Sequence, residues 1–425
     1  MSPTNASPEE WFEEVAGTHP RCFWLDGGGA REWSGRRSVI GHLVDDDVSI
    51  TFHAAAGEVR RHVNGTSTVV GDDVFDVLAR ELADGPDDAQ WFGYLGYASR
   101  RDLPARPDPR LPDAVWMRPS VVRSFTHEAP DLAGRHHERS PQASPTMTSA
   151  GVEPVPDDYA AAFARVQDEL HAGNTYEVNL THRATTRSDL PPAQAYRRLR
   201  ALNPAPYAGF LQHDVADARA WLLSSSPERY ALVTADRTCE TKPIKGTTPR
   251  GATPAADEES RALLASDPKF RAENLMIVDL LRNDLGMVCE PGSVEVPALM
   301  QVESYASVHQ LVSTVRGRLR DDVSTLEALR ALFPAGSMTG APKLRTMEIV
   351  EAVEATPRGA YAGAFGWLAA NGLADLGVVI RSLMTSGDGE WTLGTGGGIT
   401  VRSDVAEEWA EAAWKAERLL RVFDE

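Results

Sequence analysis

Two residues near the middle of the chain have side chains that could do chemistry together. Glu228 ends the segment SSSPE, and Lys245 follows seventeen residues later in ETKPIKGTTPRG. Each segment alone is typical of a capped turn or a solvated loop, because serine, proline, glycine and threonine are common there. If burial raised its pKa, Glu228 could protonate a departing hydroxyl group. The pair indicates a site only if other parts of that site accompany it.

Further carboxylates could bind a metal ion. Glu273 lies in RAENLMIVDLLRND, and Glu408, Glu411 and Lys415 recur at steps of three and four in EEWAEAAWK, which places them on one helical face. That face could be a solvated surface with ion pairs. It could also point into a cleft, where Glu273 and Glu411 hold Mg²⁺ and leave water or a substrate carboxylate to complete its octahedron. Lys415 could then bind an anion beside the ion.

Two glycine-containing segments could approach a ligand with their backbone. In LGTGGGI, the N–H groups of Gly396, Gly397 and Gly398 could form a nest for a carboxylate, although a bulged strand or a hairpin is an equal reading. The segment GSMTGAPK resembles a phosphate loop only superficially, because Pro342 precedes its lysine and the Gly-Lys-Ser/Thr order is absent. Nucleotide binding is therefore not predicted there.

The helices and strands that must position these groups follow one another in uneven runs. Apolar residues at 159, 163, 166 and 170 predict an amphipathic helix. Helices are predicted at 159–170, 257–265, 269–283, 326–332 and 404–422, and strands at 48–52, 68–70, 91–97, 176–181, 221–225, 230–233, 363–368 and 376–383. Without a βαβα rhythm, the order favours an α+β fold over a doubly wound parallel sheet.

The chain length allows either two domains or one large intertwined domain. Residues 127–157 are rich in Pro, Ser, Ala, His and charge and show no hydrophobic period, which predicts a linker. We therefore expect an N-terminal α+β lobe at 1–126 and a catalytic region at 158–425.

Composition argues against several classes of partner. The chain has 61 acidic and 43 basic residues and a net charge of −18, which repels nucleic acid and anionic membranes. An anionic small substrate would need local positive charges or a metal ion. Three scattered cysteines, an acidic N-terminal segment and the absence of an apolar run near 20 residues predict a soluble cytoplasmic protein.

Nine segments, taken in order, resemble the chorismate-utilising family of anthranilate, isochorismate, salicylate and aminodeoxychorismate synthases. They are SSSPE, ETKPIKGTTPRG, RAENLMIVDLLRNDLG, VHQLVSTV, FPAGSMTGAPK, RGAYAGAFG, VVIRS, GTGGGI and EEWAEAAWK, spanning about residues 157–422. The resemblance implies chorismate as the substrate. It also implies a large mixed fold in which antiparallel sheets pack as a sandwich with surrounding helices.

Within this family, PIKGT resembles the branch that forms aminodeoxychorismate, since anthranilate synthases typically have alanine at the position of Lys245. This implies Mg²⁺-dependent amination of chorismate at C4 with ammonia. Two successive displacements, with Lys245 as the nucleophile at C2, would give the retained configuration. A nearby Mg²⁺ and partial burial are expected to lower the pKa of Lys245, so that its amine is neutral.

The resemblance implies roles for the other candidates as well. Glu228 would protonate the C4 hydroxyl as it leaves, and Glu273 and Glu411 would bind Mg²⁺ on the ring carboxylate. The expected substrate-binding residues are Gly246 and Thr247 beside the ring, and Tyr361, Arg381, Lys415, Gly396, Gly397 and Gly398 around the enolpyruvyl carboxylate and neighbouring oxygens.

Two positions depart from related enzymes. Glu177, in TYEVNLT, stands where isochorismate and salicylate synthases have a water-activating lysine, so hydroxylation at C2 is not expected. Gln310 stands where anthranilate synthases have a histidine, with His309 displaced by one position, and no role is assigned to either residue.

Ammonia is expected from solution or from a separate glutamine amidotransferase subunit, because the cysteines lie in no glycine-flanked nucleophile turn. One alternative function is that of anthranilate synthase component I, against which Lys245 argues. The other is a catalytically silent binding homologue, against which the full set of acidic and basic candidates argues.

Overall fold

A computed structural model describes residues 6–27, 36–127, 154–305 and 308–424. Most of the predicted linker, residues 128–153, lies outside the described residues. In the described part of the chain, none of the helices is both long and apolar enough to cross a membrane.

The helices and strands of the described residues are numbered in chain order. The helices are α1 Pro8–Thr18, α2 Val74–Asp84, α3 Asp157–His171, α4 Pro192–Leu202, α5 Pro254–Ser266, α6 Pro268–Gly286, α7 Thr325–Leu332, α8 Lys343–Val353 and α9 Val405–Leu420. The strands are β1 Arg21–Asp26, β2 Arg37–His42, β3 Val48–His53, β4 Glu58–Val63, β5 Thr66–Gly71, β6 Gln90–Leu95, β7 Ala114–Arg118, β8 Val121–Thr126, β9 Glu177–Arg187, β10 Tyr207–His213, β11 Ala220–Ser226, β12 Arg229–Val233, β13 Thr238–Lys242, β14 Ile244–Pro249, β15 Glu295–Ser304, β16 Val308–Arg318, β17 Gly340–Ala341, β18 Ala364–Ala369, β19 Ala374–Val378, β20 Ser382–Thr385 and β21 Glu390–Ile399.

These strands form two large antiparallel sheets. The first has the order β17-β9-β21-β20-β11-β10-β1-β2-β8. The second has the order β14-β16-β13-β12-β19-β18-β6-β7-β3-β4-β5, and β15 also pairs with β16. The predicted α+β fold with antiparallel sheets packed as a sandwich is confirmed.

The two sheets pack through alternating apolar side chains. In β1, Phe23 faces the large core, where its ring stacks on Phe92 of β6 with 4.0 Å between centroids. Its neighbours Cys22 and Trp24 point the other way, into a second core that Phe12 of α1 and Tyr196 of α4 complete. This period of two lets one strand bury both faces, against the opposite sheet and against helices.

Strands on both sides of the expected linker belong to the same two sheets. Strands β1, β2 and β8 extend the first sheet, and β3 to β7 extend the second. The division into 1–126 and 158–425 stays a prediction, with the two segments sharing their hydrogen-bonded sheets.

One predicted strand is wrong in an informative way. The sequence predicts a single strand at 376–383, but the chain leaves β19 of the second sheet after Val378 and enters β20 of the first sheet at Ser382. Arg381, at the crossing, has a φ of 51°. Because apolar residues flank the crossing on both sides, hydrophobic periodicity alone could not reveal the change of sheet.

The Phe23–Phe92 stack predicts a large loss of stability on truncation. Phe92→Ala should lower the free energy of unfolding by about 3–5 kcal/mol, because it leaves a cavity between the sheets. Urea denaturation followed by tryptophan fluorescence would measure the change. Val122→Ala, at a position on β8 that is 40% exposed, is the control and should have little effect. A Phe92→Ala loss below about 1 kcal/mol would contradict this account of the sandwich.

Candidate functional site

A cavity of about 160 Å³ opens where the ends of the two sheets meet helices α6 and α9. All twelve residues proposed from the sequence line it: Glu228, Lys245, Gly246, Thr247, Glu273, Tyr361, Arg381, Gly396, Gly397, Gly398, Glu411 and Lys415. The structure therefore brings together residues that are distant in sequence.

Two chain crossings between the sheets lie side by side at this cavity. Glu228 sits between β11 of the first sheet and β12 of the second, and Arg381 lies at the crossing described above. The N–H of Val378 donates to the Glu228 carbonyl at 2.9 Å, and the N–H of Ser225 donates to the Arg381 carbonyl at 3.1 Å. These backbone hydrogen bonds hold the two crossings, and hence their side chains, at a fixed spacing.

Lys245 lies in an irregular part of β14. The register against β16 shifts between Ile244 and Thr247, and Gly246 between them has a φ of 91°, which glycine adopts without the strain that a side chain would bring. A bulge of this kind re-aims the neighbouring side chain. The Lys245 ammonium donates to the Glu177 carboxylate of β9 at 2.5 Å, and both side chains are buried.

The pKa of Lys245 differs in direction from the expectation. Burial acts to lower it, but the carboxylates of Glu177, Glu273 and Glu228 outweigh burial and raise the pKa of Lys245 above its ordinary value. The expected lowering depended on a nearby Mg²⁺ and stays a prediction; in the protein chain by itself, the closeness of Glu177 contributes to a higher pKa. The ammonium form is the one that the pair holds.

Glu228 has the property required of a general acid. It is 4% exposed, and burial raises its pKa to about 7, although a hydrogen bond from Ser337 and the charge of Lys245 act in the opposite direction. The Ser337 hydroxyl donates to Glu228 Oε1 at 2.5 Å. A carboxyl group with this pKa retains a proton near neutral pH.

Glu273 and Glu411 approach the cavity from α6 and α9. Burial raises the pKa of Glu273 to about 7, and its Oε1 atom is buried with no hydrogen-bond partner among the described residues. Glu411 Oε1 accepts from the Lys415 ammonium at 2.7 Å, and that charge lowers the pKa of Glu411. Both carboxylates line the same cavity, and carboxylate oxygens are the donors that a hard divalent cation prefers, so their chemistry fits such an ion.

The described residues contain no cluster of three or more His, Cys, Asp or Glu side chains arranged as metal ligands. An ion held by Glu273 and Glu411 would therefore need water or substrate oxygens to complete its coordination. Mg²⁺ accepts such a partial protein shell.

Of the two alternatives for the three glycines, a nest or a strand, the structure has the strand. Gly396, Gly397 and Gly398 lie in β21 and pair with β9. Gly398 provides space instead, since a Cβ atom there would lie 2.2 Å from Glu177 Oε1 and 3.0 Å from Lys245 Nζ. Glycine at this position allows the Lys245–Glu177 pair to lie against the strand.

Arg381 and Tyr361 add a cation and a buried phenol to the cavity wall. Burial and the nearby Arg418 lower the pKa of Arg381 to about 10, and its guanidinium makes no ion pair within the described residues. Burial raises the pKa of Tyr361, which keeps the phenol protonated. Arg381 is thus available for an anion, whereas the Lys415 ammonium also donates to the Gly396 carbonyl at 2.7 Å.

The structure separates His309 from Gln310. Gln310 lines the cavity, and its Oε1 atom is buried without a hydrogen-bond partner in the described residues. His309 lies on the opposite side of β16, where its ring contacts Asp257 at 3.1 Å and Ser304 at 2.8 Å. The alternation of side chains along a strand accounts for this difference.

Sequence reasoning missed three contacts of the site. It noted Glu177 only as a departure, and it did not identify Ser337 or Lys269, whose ammonium lies 3.0 Å from Glu408. The partners are separated by 68 residues for Glu177 and Lys245 and by 109 for Glu228 and Ser337. The GSMTGAPK segment supplied the only signal for Ser337, and its Lys343 is buried against Asp284 at 2.6 Å.

Comparisons with known proteins identify the family of the chain. A family model described as chorismate binding enzyme matches residues 21–421. Aminodeoxychorismate synthase of Streptomyces pristinaespiralis is 40% identical over 97% of this chain, and the chain spans 63% of that curated relative. Aminodeoxychorismate synthase component 1 of Salmonella typhimurium is 37% identical over 90% of this chain and 89% of its own length.

A solved structure is similar over the whole chain. Anthranilate synthase component I of Streptococcus pneumoniae matches with a TM-score of 0.71 and 26% identity, covering 98% of both chains. Because the family model covers nearly the full length and the relatives match over most of theirs, the chain belongs to the chorismate binding enzyme family.

Proposed function

We propose that this chain aminates chorismate at C4 with ammonia, forming 4-amino-4-deoxychorismate in a Mg²⁺-dependent reaction. The observation that carries the proposal is the placement of a buried lysine and a protonatable carboxyl group, Lys245 and Glu228, in one cavity. The reaction requires these two groups, a nucleophile and an acid for a leaving hydroxyl.

In the first displacement, the Lys245 amine forms a bond to C2 while the ring double bonds shift and the C4–O bond breaks. Glu228 gives its proton to the departing oxygen, so that water leaves. In the second displacement, ammonia forms a bond to C4, the double bonds shift back and the C2–N bond to Lys245 breaks. Two displacements return the configuration at C4 to that of the substrate.

Lys245 must lose a proton before it can attack. Glu177 is the proton acceptor that the proposal assigns, because its carboxylate lies 2.5 Å from the ammonium nitrogen and both groups are buried. Transfer within the pair converts an ammonium and a carboxylate into an amine and a carboxylic acid. After this transfer neither member of the pair is charged, and the charges that remain in the buried site are those of the groups that bind substrate.

The proposal places the two substrate carboxylates at opposite ends of the cavity. Glu273 and Glu411 would hold Mg²⁺ against the ring carboxylate, where the ion supplies charge neutralisation when bound. Arg381, Tyr361 and Lys415 would bind the enolpyruvyl carboxylate, along the strand that contains Gly396, Gly397 and Gly398. Gly246 and Thr247 would line the ring.

Ammonia would come from a separate glutamine amidotransferase subunit or from solution. Support comes from the name component 1 in the Salmonella relative and from the cysteines, which are all buried and unpaired. Burial raises the pKa of Cys22 and Cys239, so neither is an activated nucleophile. Unpaired buried thiols also suit the reducing cytoplasm, in which we place the protein.

Anthranilate formation is the second candidate, because the Streptococcus pneumoniae structure carries that name. The two functions differ in the carbon that is aminated and in the release of pyruvate. Incubation of the protein with chorismate, Mg²⁺ and ammonium, followed by mass analysis of the product, separates them. Anthranilate as the main product would overturn the proposal.

Lys245→Ala tests the covalent route. The variant should lose about a thousandfold or more of its turnover, because it lacks the amine that the proposal assigns to the bond at C2. Lys245→Arg is the sharper control: it keeps the positive charge beside Glu177 but cannot act as the nucleophile, so it should be equally inactive. Circular dichroism verifies folding. Near-normal product formation by either folded variant would exclude the lysine nucleophile.

The pKa of Glu228 predicts how activity depends on pH. The protonated form is the active one, so this contribution to kcat/KM is present below pH 7 and is lost as pH rises through about 7. This loss forms the basic limb of the pH–rate profile. Glu228→Gln should remove that limb and lower turnover by about 100-fold or more.

Ser337→Ala provides a directional test of the same limb. Its hydroxyl hydrogen bond lowers the pKa of Glu228, so its removal should move the limb to higher pH. Rates measured across the pH range at saturating Mg²⁺ would show both effects. An unchanged limb in Glu228→Gln would assign it to another group.

Replacement of either proposed metal ligand should weaken metal and chorismate binding together. Glu273→Ala or Glu411→Ala should cost about 100-fold or more in affinity, and Glu408→Ala about tenfold, the range seen for groups that orient metal ligands. Calorimetric titration of chorismate with and without Mg²⁺ measures the coupling. Full activity after exhaustive chelation would exclude a required ion.

A further inference from the structure

Lysine is rare in this chain, which has only five lysines and 38 arginines. Three of the five, Lys245, Lys269 and Lys415, line the cavity. A lysine ammonium is a compact point charge on a flexible stem, whereas arginine presents a rigid planar fork, so the two are not interchangeable at such sites. Lys269 is the cavity lysine to which the proposed reaction gives no role.

Lys269 contacts the acidic side of the cavity. Its ammonium lies 3.0 Å from Glu408 Oε1, and the same oxygen accepts from the Ser403 hydroxyl at 2.7 Å. Lys269 is the second residue of α6 and lies four residues before Glu273, on the same helical face. The lysine therefore lies between the two helices that carry the proposed metal ligands.

The local helix does not favour a cation at this position. The N-terminus of a helix carries a partial positive charge, which repels an ammonium in the first turn. Burial also acts to lower the pKa of Lys269, yet the carboxylates of Glu408, Glu273 and Glu411 outweigh it and raise that pKa. Attraction from three carboxylates on both helices is what stabilises the charge there.

We propose that Lys269 is a resident counter-cation, which neutralises Glu273, Glu408 and Glu411 and competes with a divalent ion for them. The inference rests on the metal site of the proposed function and adds a residue that sets its affinity. The side chain of Lys269 is 36% exposed and can turn away on its flexible stem. Ser403 then continues to hold Glu408.

The competition has a functional consequence. An ion that must displace Lys269 binds weakly to the protein alone, and gains enough affinity when a substrate carboxylate joins its coordination shell. Lys269 would thus favour binding of the ion together with the substrate over binding of the ion by itself. An arginine at this position would hold the carboxylate through two parallel hydrogen bonds and yield less readily.

Direct ion binding, without turnover, tests the proposal. Mn²⁺ binding to the full chain is measured by electron paramagnetic resonance in the absence of chorismate, with Mg²⁺ calorimetry in parallel. Lys269→Met should bind Mn²⁺ about tenfold more tightly than wild type, the order expected for loss of one nearby unit charge. Lys269→Arg retains the charge and should show no gain.

Arg271→Met is the matched control. It removes one positive charge from the same helix, two residues away, at an exposed position outside the cavity lining. Its Mn²⁺ affinity should stay within about twofold of wild type, because an exposed charge is screened by solvent. If Arg271→Met gained as much Mn²⁺ affinity as Lys269→Met, the gain would come from the overall charge of the helix and not from the position of Lys269. That result would overturn the proposal.

Thermal unfolding provides a second readout. Without Mg²⁺, Lys269→Met should unfold at a lower temperature than wild type, and added Mg²⁺ should raise its unfolding temperature by the larger amount. Equal or weaker ion binding by Lys269→Met overturns the counter-cation. If only the counter-cation role of Lys269 is wrong, the wild-type protein still binds the ion. If neither the wild type nor the variants bind it, the metal site of the proposed function is wrong as well.

Discussion

The buried ion pair between Lys245 and Glu177 is the interaction on which the rest of the site depends. A lone charge buried in this position would carry a desolvation cost of several kcal/mol, which the opposite charge of its partner offsets. The pair requires β9 of the first sheet, the bulge in β14 of the second sheet and the space beside Gly398 at the same place. The sandwich therefore has to form before Lys245 has this environment.

Crossings between the sheets determine where the side chains of Glu228 and Arg381 point. A side chain within a regular strand points to one of two faces, whereas a residue between strands of different sheets can point along the gap between them. Both residues occupy such crossings, and reciprocal backbone hydrogen bonds tie the crossings together. The backbone thereby fixes the positions from which the side chains of Glu228 and Arg381 enter the cavity.

Much of the site could be predicted from sequence because its groups occur within recognisable segments. The spacing of Glu408, Glu411 and Lys415 correctly predicts one face of α9, but it could not identify Lys269 as a partner across the cavity. The glycines of β21 illustrate a different limit. The same glycine-rich sequence is compatible with an anion nest and with a crowded strand, and only the register with β9 distinguishes the two structures. The pairing of Glu177 with Lys245 depends likewise on the meeting of two sheets.

Charge balance is central to the proposed binding of a dianionic substrate by a chain with a net charge of −18. Five acidic side chains, Glu177, Glu228, Glu273, Glu408 and Glu411, face four basic ones, Lys245, Lys269, Arg381 and Lys415, so the formal charges of the site nearly balance. A divalent cation alone would add two positive charges, and a chorismate dianion alone would add two negative ones. Bound together they leave the balance unchanged, which in a buried cavity costs far less than either change. In the proposed reaction both proton transfers are internal, from Lys245 to Glu177 and from Glu228 to the leaving oxygen, and neither transfer alters the total charge of the cavity.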